Sequence, residues 1–191
     1  VRLTILGGPG AGKSVQAQLF GERQGIPLLA IGEVLRQEVT QATPLGQLAQ
    51  SYVEAGELVP DEIMIKFVRK RLLQDDVSQG WLLEGYPRTA FQAEELDFLL
   101  SDLGQHLDYA IYLKVDDRLL MGRSLVRCRV DDTPDAIQNR IEAFKERTIP
   151  LLEYYQHRQN LLVINGDRSI AEINQDICQI LENQSISHID I

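Results

Sequence analysis

Gly7-Gly8-Pro9-Gly10-Ala11-Gly12-Lys13-Ser14 is the stretch on which the reading of this chain turns. It follows an apolar run, Leu3-Thr4-Ile5-Leu6, and precedes a helix-like stretch that reaches Gln24. A G-x-x-x-x-G-K-[ST] loop between a strand and a helix is a phosphate site. Its glycines let the backbone turn tightly and bring bare N–H groups close to phosphate oxygens. The helix beginning near Lys13 points the positive end of its dipole at the same place. Lys13 supplies a mobile positive charge for the outer phosphates, and Ser14 a hydroxyl for a magnesium ion.

Outward from this loop, strands alternate with helices. The first strand is 3–6 and the first helix 14–24, broken by Gly25-Ile26-Pro27. Leu28-Leu29-Ala30 reads as a short second strand, and 32–39 as a helix. Thr43 caps a further helix that has Pro44 at its first position and runs to about Ala55, with Gly56 after it. Pro60 opens a longer amphipathic helix with Ile63, Phe67, Leu72 and Leu73 among its apolar positions. Trp81-Leu82-Leu83 is a buried third strand, ending in Glu84-Gly85-Tyr86-Pro87-Arg88, and Thr89 caps a helix to Leu100. Residues 109–115 form the fourth and longest strand, followed by a helix from Asp117 into an arginine-rich stretch. Thr133 caps a long helix to about Tyr155, Leu161-Leu162-Val163-Ile164 is the fifth strand, and Ser169 starts the last helix, with a loose tail expected after Glu182. This order implies an α/β fold: a five-stranded parallel sheet with helices on both faces. Ligands of such sheets sit at the carboxyl ends of the strands, where the glycine loop, Gly32 and the segment from Glu84 to Arg88 all fall.

The bulk numbers fit one domain of 191 residues, 44% apolar and 25% charged. The net charge of −9 argues against a general affinity for nucleic acid or anionic membrane. No apolar run approaches the roughly 20 residues of a membrane span, and the chain enters its first strand with no signal pattern, so a cytoplasmic protein is expected. Cys128 and Cys178 have neither pair nor metal spacing, and Cys178 falls in an apolar helical pattern. His106, His157 and His188 are scattered and receive no ligand role.

Six arginines suggest a second anion site: Arg36 after the second strand, Arg88 after the third, then Arg123, Arg127, Arg129 and Arg140. Arg123 and Arg127 are one helical turn apart and share a face. Arginine suits phosphate because its planar fork donates parallel hydrogen bonds and stays charged.

At these residues the sequence resembles the adenylate kinases of the short-lid type, within the nucleoside monophosphate kinases. The resemblance runs from the first strand to about Ile177. It rests on the glycine loop; on Gly32, Leu35 and Arg36; on Gly56-Glu57-Leu58-Val59-Pro60-Asp61; and on Gly85-Tyr86-Pro87-Arg88-Thr89 with Gln92. It continues through Arg123, Arg127, Arg129, Asp131, Asp132, Arg140 and Gly166. It implies a P-loop nucleoside triphosphate hydrolase-like fold in a single domain, 1–191, with an AMP-binding helical insert at about 31–60 and a short lid at about 123–133. It implies reversible, magnesium-dependent, in-line transfer of the terminal phosphoryl group of ATP to AMP, giving two ADP. ATP would meet Gly8, Gly10, Ala11, Gly12, Lys13, Ser14, Val15, Arg123, Arg127 and Gly166. AMP would meet Ile31, Arg36, Glu57, Leu58, Val59, Gly85, Arg88, Gln92, Arg129 and Arg140. Lys13, Arg88, Arg123, Arg129 and Arg140 would serve the transfer itself, and Mg²⁺ would be held through Ser14 and, by way of water, Glu84. Between Arg127 and Asp131 there is no room for a long lid, and four metal-binding cysteines are lacking, so the zinc-bearing branch is excluded. A monomer is expected.

Four positions depart from the family pattern. Ser14-Val15 stands where Gly-Thr is usual, Ile31 replaces a threonine or small residue, Glu84 replaces an aspartate and Tyr86 a phenylalanine. Losing one phosphate or metal contact costs ~1.5–3 kcal/mol, roughly ten- to a hundredfold in rate. Three readings therefore stand: an AMP kinase; a kinase for CMP, UMP or dAMP, with Ile31 as its motive and Gln92 against it; and a catalytically weakened nucleotide-binding or regulatory paralogue.

Overall fold

The computed structural model describes residues 1–55, 59–127 and 133–187. Five parallel strands form one sheet: β1 (Arg2–Leu6), β2 (Leu28–Ala30), β3 (Trp81–Glu84), β4 (Tyr109–Lys114) and β5 (Leu161–Asn165), in the order β2-β3-β1-β4-β5. The order reverses beside β1, so the loop that follows β1 opens at the switch point where ligands bind in such sheets. The helices are α1 (Lys13–Gln24), α2 (Ile31–Thr40), α3 (Pro44–Ala55), α4 (Asp61–Leu72), α5 (Ala90–Asp102), α6 (Asp117–Arg127), α7 (Pro134–His157) and α8 (Ile170–Ser187). A 3-10 turn at Asp75–Val77 lies between α4 and β3.

The strands are apolar at successive positions because both faces of the sheet are covered. Leu3 and Ile5 of β1, Leu82 of β3, Ile111 and Leu113 of β4 and Ile164 of β5 join a core closed by Phe20 of α1 and by Ile173 and Ile177 of α8. On the other face Leu6, Leu29, Leu83 and Ala110 pack with Val68 and Leu72 of α4 and Leu96 and Leu100 of α5. The long α7 gives Ile137 and Ile141 to the first core and Leu151 and Tyr155 to the second, so it joins the two layers. Cys178 is buried in the first core, in keeping with its apolar setting in the sequence.

The helix starts follow their caps. The hydroxyl oxygen of Thr89 accepts from Gln92 N at 3.2 Å, that of Thr133 from Ala136 N at 3.2 Å, and that of Thr43 from Gly46 N at 3.0 Å. The last helix is longer than the sequence suggests. The tail expected after Glu182 is helical to Ser187, because neither glycine nor proline stops the chain beyond Leu181, the last buried apolar position.

Helices α2, α3 and α4 pack on one another around a single carboxylate. Glu38, 9% exposed, accepts from Lys70 Nζ at 2.6 Å and from the Thr43 hydroxyl. The Lys70 hydrogen bond, then that of Thr43, hold its carboxyl below the ordinary value. Gly46 passes directly against the Glu38 backbone there. Among the described residues no helix is long and apolar enough to cross a membrane.

Candidate active site

The carboxyl ends of the neighbouring strands β2, β3 and β1 carry most of the candidate residues. After β1 the glycine loop turns with φ of 80° at Gly10 and 88° at Gly12, left-handed values that favour glycine. Gly10 also runs against α6: a Cβ there would stand 2.7 Å from both Leu120 O and Ser124 Oγ. Ser124 is wholly buried behind the loop. Lys13 folds back across the loop, its Nζ donating to Gly7 O at 2.8 Å and Gly8 O at 2.9 Å. Its ammonium is thus held over the turn that presents the backbone N–H groups. Ala11 is buried, and Val15 keeps 44% of its surface exposed, outside the core. The buried Gln16 ties the same helix to α8 through Nε2–H···O to Ile170 at 2.9 Å.

Glu84 ends β3, the strand beside β1, and its Oε1 accepts from Ser14 Oγ at 2.6 Å. Two of the departures in sequence are therefore one structural unit: the longer carboxylate meets the hydroxyl that stands directly after the lysine. Together they present a hydroxyl and a carboxylate, the hard oxygen donors that magnesium takes.

Beyond Glu84 the chain turns at Gly85, φ 86°, through a cis Tyr86–Pro87 bond. Thr4 Oγ1 of β1 donates to Tyr86 O at 2.9 Å and pins the turn to the sheet. Tyr86 is 1% exposed, so its replacement of phenylalanine puts a hydroxyl inside the core rather than at the surface. Burial, then the charges of Glu95 and Asp61, push its phenol well above the ordinary range. Arg88 leaves the turn toward solvent and donates from Nε to Gly85 O at 2.9 Å. Contact with surrounding atoms, then the Arg147 charge, lower its pKa, and Glu84 acts the other way; a guanidinium stays charged through such a change. Gly85 and Gly32 lie side by side, each with an arginine tip near it: a Cβ on Gly85 would lie 3.7 Å from Arg88 Nη2 and 3.9 Å from Gly32 N, and one on Gly32 3.6 Å from Arg36 Nη1.

At the far end of the sheet Arg123 Nη1 donates to Gly166 O at 2.8 Å, so α6 and the end of β5 meet there. Gly166 has no room for a side chain, since a Cβ would lie 2.4 Å from Val115 Cγ2. Arg140 donates from Nε to Ala136 O at 3.1 Å within α7. Ile31 is wholly buried with Leu29, Leu83 and Tyr86, so its side chain offers no open surface to a ligand in this structure. Val59 is half-buried just before α4. Glu57, Leu58, Arg129, Asp131, Asp132 and the side chain of Arg127 lie outside the described residues.

Sequence reasoning passed over Asp61 as a site residue. Its Oδ1 accepts from Gln92 Nε2 at 2.5 Å. It stands in the sequence as the last residue of the segment 56–61, where an acid in the first turn of a helix reads as a partner for the dipole rather than for a side chain.

A glycine loop that cradles phosphate, a carboxylate at the end of the neighbouring strand and a parallel sheet wound on both faces define a P-loop nucleotide-binding protein. The comparisons narrow the class. The sequence model described as adenylate kinase matches residues 5–160. An adenylate kinase 2 from a Synechocystis species is 53% identical over 175 residues, covering 92% of this chain and 97% of the relative. An adenylate kinase 2 from a Nostoc species is 52% identical over 181 residues, with 95% and 98% covered. An adenylate kinase from a Nocardioides species is 41% identical over 186 residues, with 95% and 97% covered. The chain belongs to the adenylate kinase family.

Proposed function

We infer that the chain transfers the terminal phosphoryl group of ATP to AMP, giving two ADP, in a reversible reaction. The observation that carries this is the pairing of a phosphate loop with a two-arginine edge, Arg36 and Arg88, around adjacent strand ends of one sheet. A protein that only held ATP would need the first and not the second.

Phosphoryl transfer asks a protein for positioning and charge, because an acceptor phosphate oxygen is already the nucleophile. In this reading the loop N–H groups and Lys13 hold the outer phosphates of ATP. Arg36 and Arg88 hold the AMP phosphate, and Arg88, Arg123, Arg129 and Arg140 gather around the transferring group. Arg127 and Gly166 belong to the donor side, and the backbone at Glu57, Leu58 and Val59 to the acceptor base. Closure of the lid at about 123–133 over the insert at about 31–60 excludes water that would otherwise take the phosphoryl group.

Magnesium fits the oxygen pair at Ser14 and Glu84, with the nucleotide supplying its remaining ligands. When bound with ATP, it neutralises charge on the phosphates. The acidic net charge of −9 and the short lid favour a monomer. Against a weakened paralogue stands the Ser14–Glu84 contact, which lets each of those departures compensate the other.

Purified protein given Mg·ATP and AMP, CMP, UMP or GMP in separate reactions tests the acceptor. Fast ADP production with AMP alone is expected. Faster turnover of CMP or UMP overturns the AMP reading, and turnover of none overturns the enzymatic one.

A further inference from the structure

The amide of Gln92 is held from two sides. Arg88 N donates to its Oε1 at 2.7 Å, and its Nε2 donates to Asp61 Oδ1 at 2.5 Å. The residue is 8% exposed, in the first turn of α5, with its own backbone N–H bound to the Thr89 cap. A backbone N–H can only donate and a carboxylate can only accept, so neither contact survives a turned-over amide. The reversed form would set N–H against N–H and carbonyl oxygen against carboxylate at once. One side group therefore has one orientation, fixed by a helix and a turn that reach the site differently. Asp61 comes with α4, whose first turn also stabilises its charge, and Arg88 comes with the turn after β3.

A primary amide has valence left after these two bonds: a second lone pair on Oε1 and a second hydrogen on Nε2. In the fixed orientation these offer an acceptor beside a donor, in a defined order. Adenine's amino group and adjoining ring nitrogen present a donor beside an acceptor, which is the complement. Hypoxanthine, of nearly the same shape, presents a keto oxygen beside an N–H, which is the reverse. A freely turning amide could serve either; a fixed one serves only the first, and an unmatched polar edge in a buried site is rejected strongly.

We propose that Asp61 is a positioning residue that fixes the Gln92 amide so that the acceptor site takes a 6-amino purine in preference to a 6-keto purine. The inference rests on the reading of Gln92 as the group that faces the acceptor base. A merely structural tether between α4 and α5 would weaken every purine monophosphate alike, so the ratio of affinities is the quantity to read.

The test measures equilibrium dissociation constants of AMP and IMP for the full chain and for Asp61→Ala, Asp61→Asn and Gln92→Leu. Asp61→Asn keeps the size of the side chain and so guards against loss of fold, while its amide can present an N–H as readily as an oxygen and so matches either orientation of Gln92. Both Asp61 variants remove one of the two constraints and leave the Arg88 N–H. The wild-type preference for AMP is expected to fall about tenfold in both, and at least as far in Gln92→Leu. A preference unchanged in the Asp61 variants but lost in Gln92→Leu overturns the role of Asp61 and leaves Gln92 as the reader. A preference unchanged in Gln92→Leu, or absent from the wild type, overturns the reading of Gln92 itself.

Discussion

Lys13→Ala is expected to lower kcat/KM for AMP phosphorylation about a hundred- to a thousandfold, with the fold intact. The ammonium is held by Gly7 O and Gly8 O, 2.8 and 2.9 Å away, over the loop whose N–H groups would meet the phosphates. It therefore needs little reorganisation to meet charge that builds on the outer phosphates. Removing one such preorganised donor costs ~2.7–4 kcal/mol of barrier. The two carbonyls it leaves lie on a surface loop where water replaces the lost donor, so the loss of stability stays within about 1 kcal/mol. Lys13→Arg should recover only part of the rate. A flat, forked guanidinium on a three-carbon stem does not fit between two neighbouring carbonyls as a compact ammonium does. Steady-state kinetics with a parallel melting curve separate the two effects. A rate within threefold of the wild type would remove Lys13 from the site.

Gly46→Ala is expected to be the most damaging single methyl in the chain for stability. Gly46 is buried in α3, and a Cβ there would stand 2.0 Å from Glu38 O and 2.3 Å from Glu38 C. These are backbone atoms, so no side chain can swing aside; α2 and α3 must part. Parting them also breaks the Thr43–Glu38 and Lys70–Glu38 contacts that close the three-helix unit. Alanine's better helix propensity returns at most about 1 kcal/mol, whereas overpacking against backbone costs about 3 kcal/mol or more. The net fall should lower Tm by about 4–8 °C or more, at ~2–4 °C per kcal/mol for a chain of this size. The KM for AMP should rise with it, because Arg36 lies on α2. Gly122→Ala is the control: no atom lies within 4 Å of its Cβ, in the middle of α6, and it should stabilise by ~0.5–1 kcal/mol. Thermal melts of the two variants check the pair. Equal and small shifts would mean that α2 and α3 do not pack as described.

The elements that could be read from sequence are those with local causes. The strands announced themselves as apolar runs, and Thr43, Thr89 and Thr133 as caps, because each of those signals lies within a few residues of what it produces. The end of α8 differs from the sequence expectation because the apolar pattern stops at Leu181 while nothing in the following residues breaks a helix. Among site residues, the glycine loop was legible for the same local reason. The resemblance sets Ser14 and Glu84 around one magnesium, but their direct hydrogen bond was not legible, since 70 residues separate them and the register of β1 beside β3 brings them together. Asp61 and Gln92 are a similar case, 31 residues apart on two helices. Ile31 is another case: its place next to Gly32 suggests the acceptor site, and its burial with Leu29 and Tyr86 comes from the packing of α2 on the sheet, which the sequence around it does not announce. Arg123 and Gly166 were each marked singly, and their contact depends on the order of β4 and β5.

The most direct measurement follows the phosphoryl group itself. ATP carrying a heavy oxygen isotope in its terminal phosphate is mixed with magnesium, AMP and the purified chain, and the products are read by phosphorus NMR. The label is expected in the outer phosphate of the ADP formed from AMP, with two ADP made for each ATP consumed. Label appearing in inorganic phosphate, with AMP unchanged, would contradict transfer between nucleotides and leave a protein that only hydrolyses what its glycine loop holds.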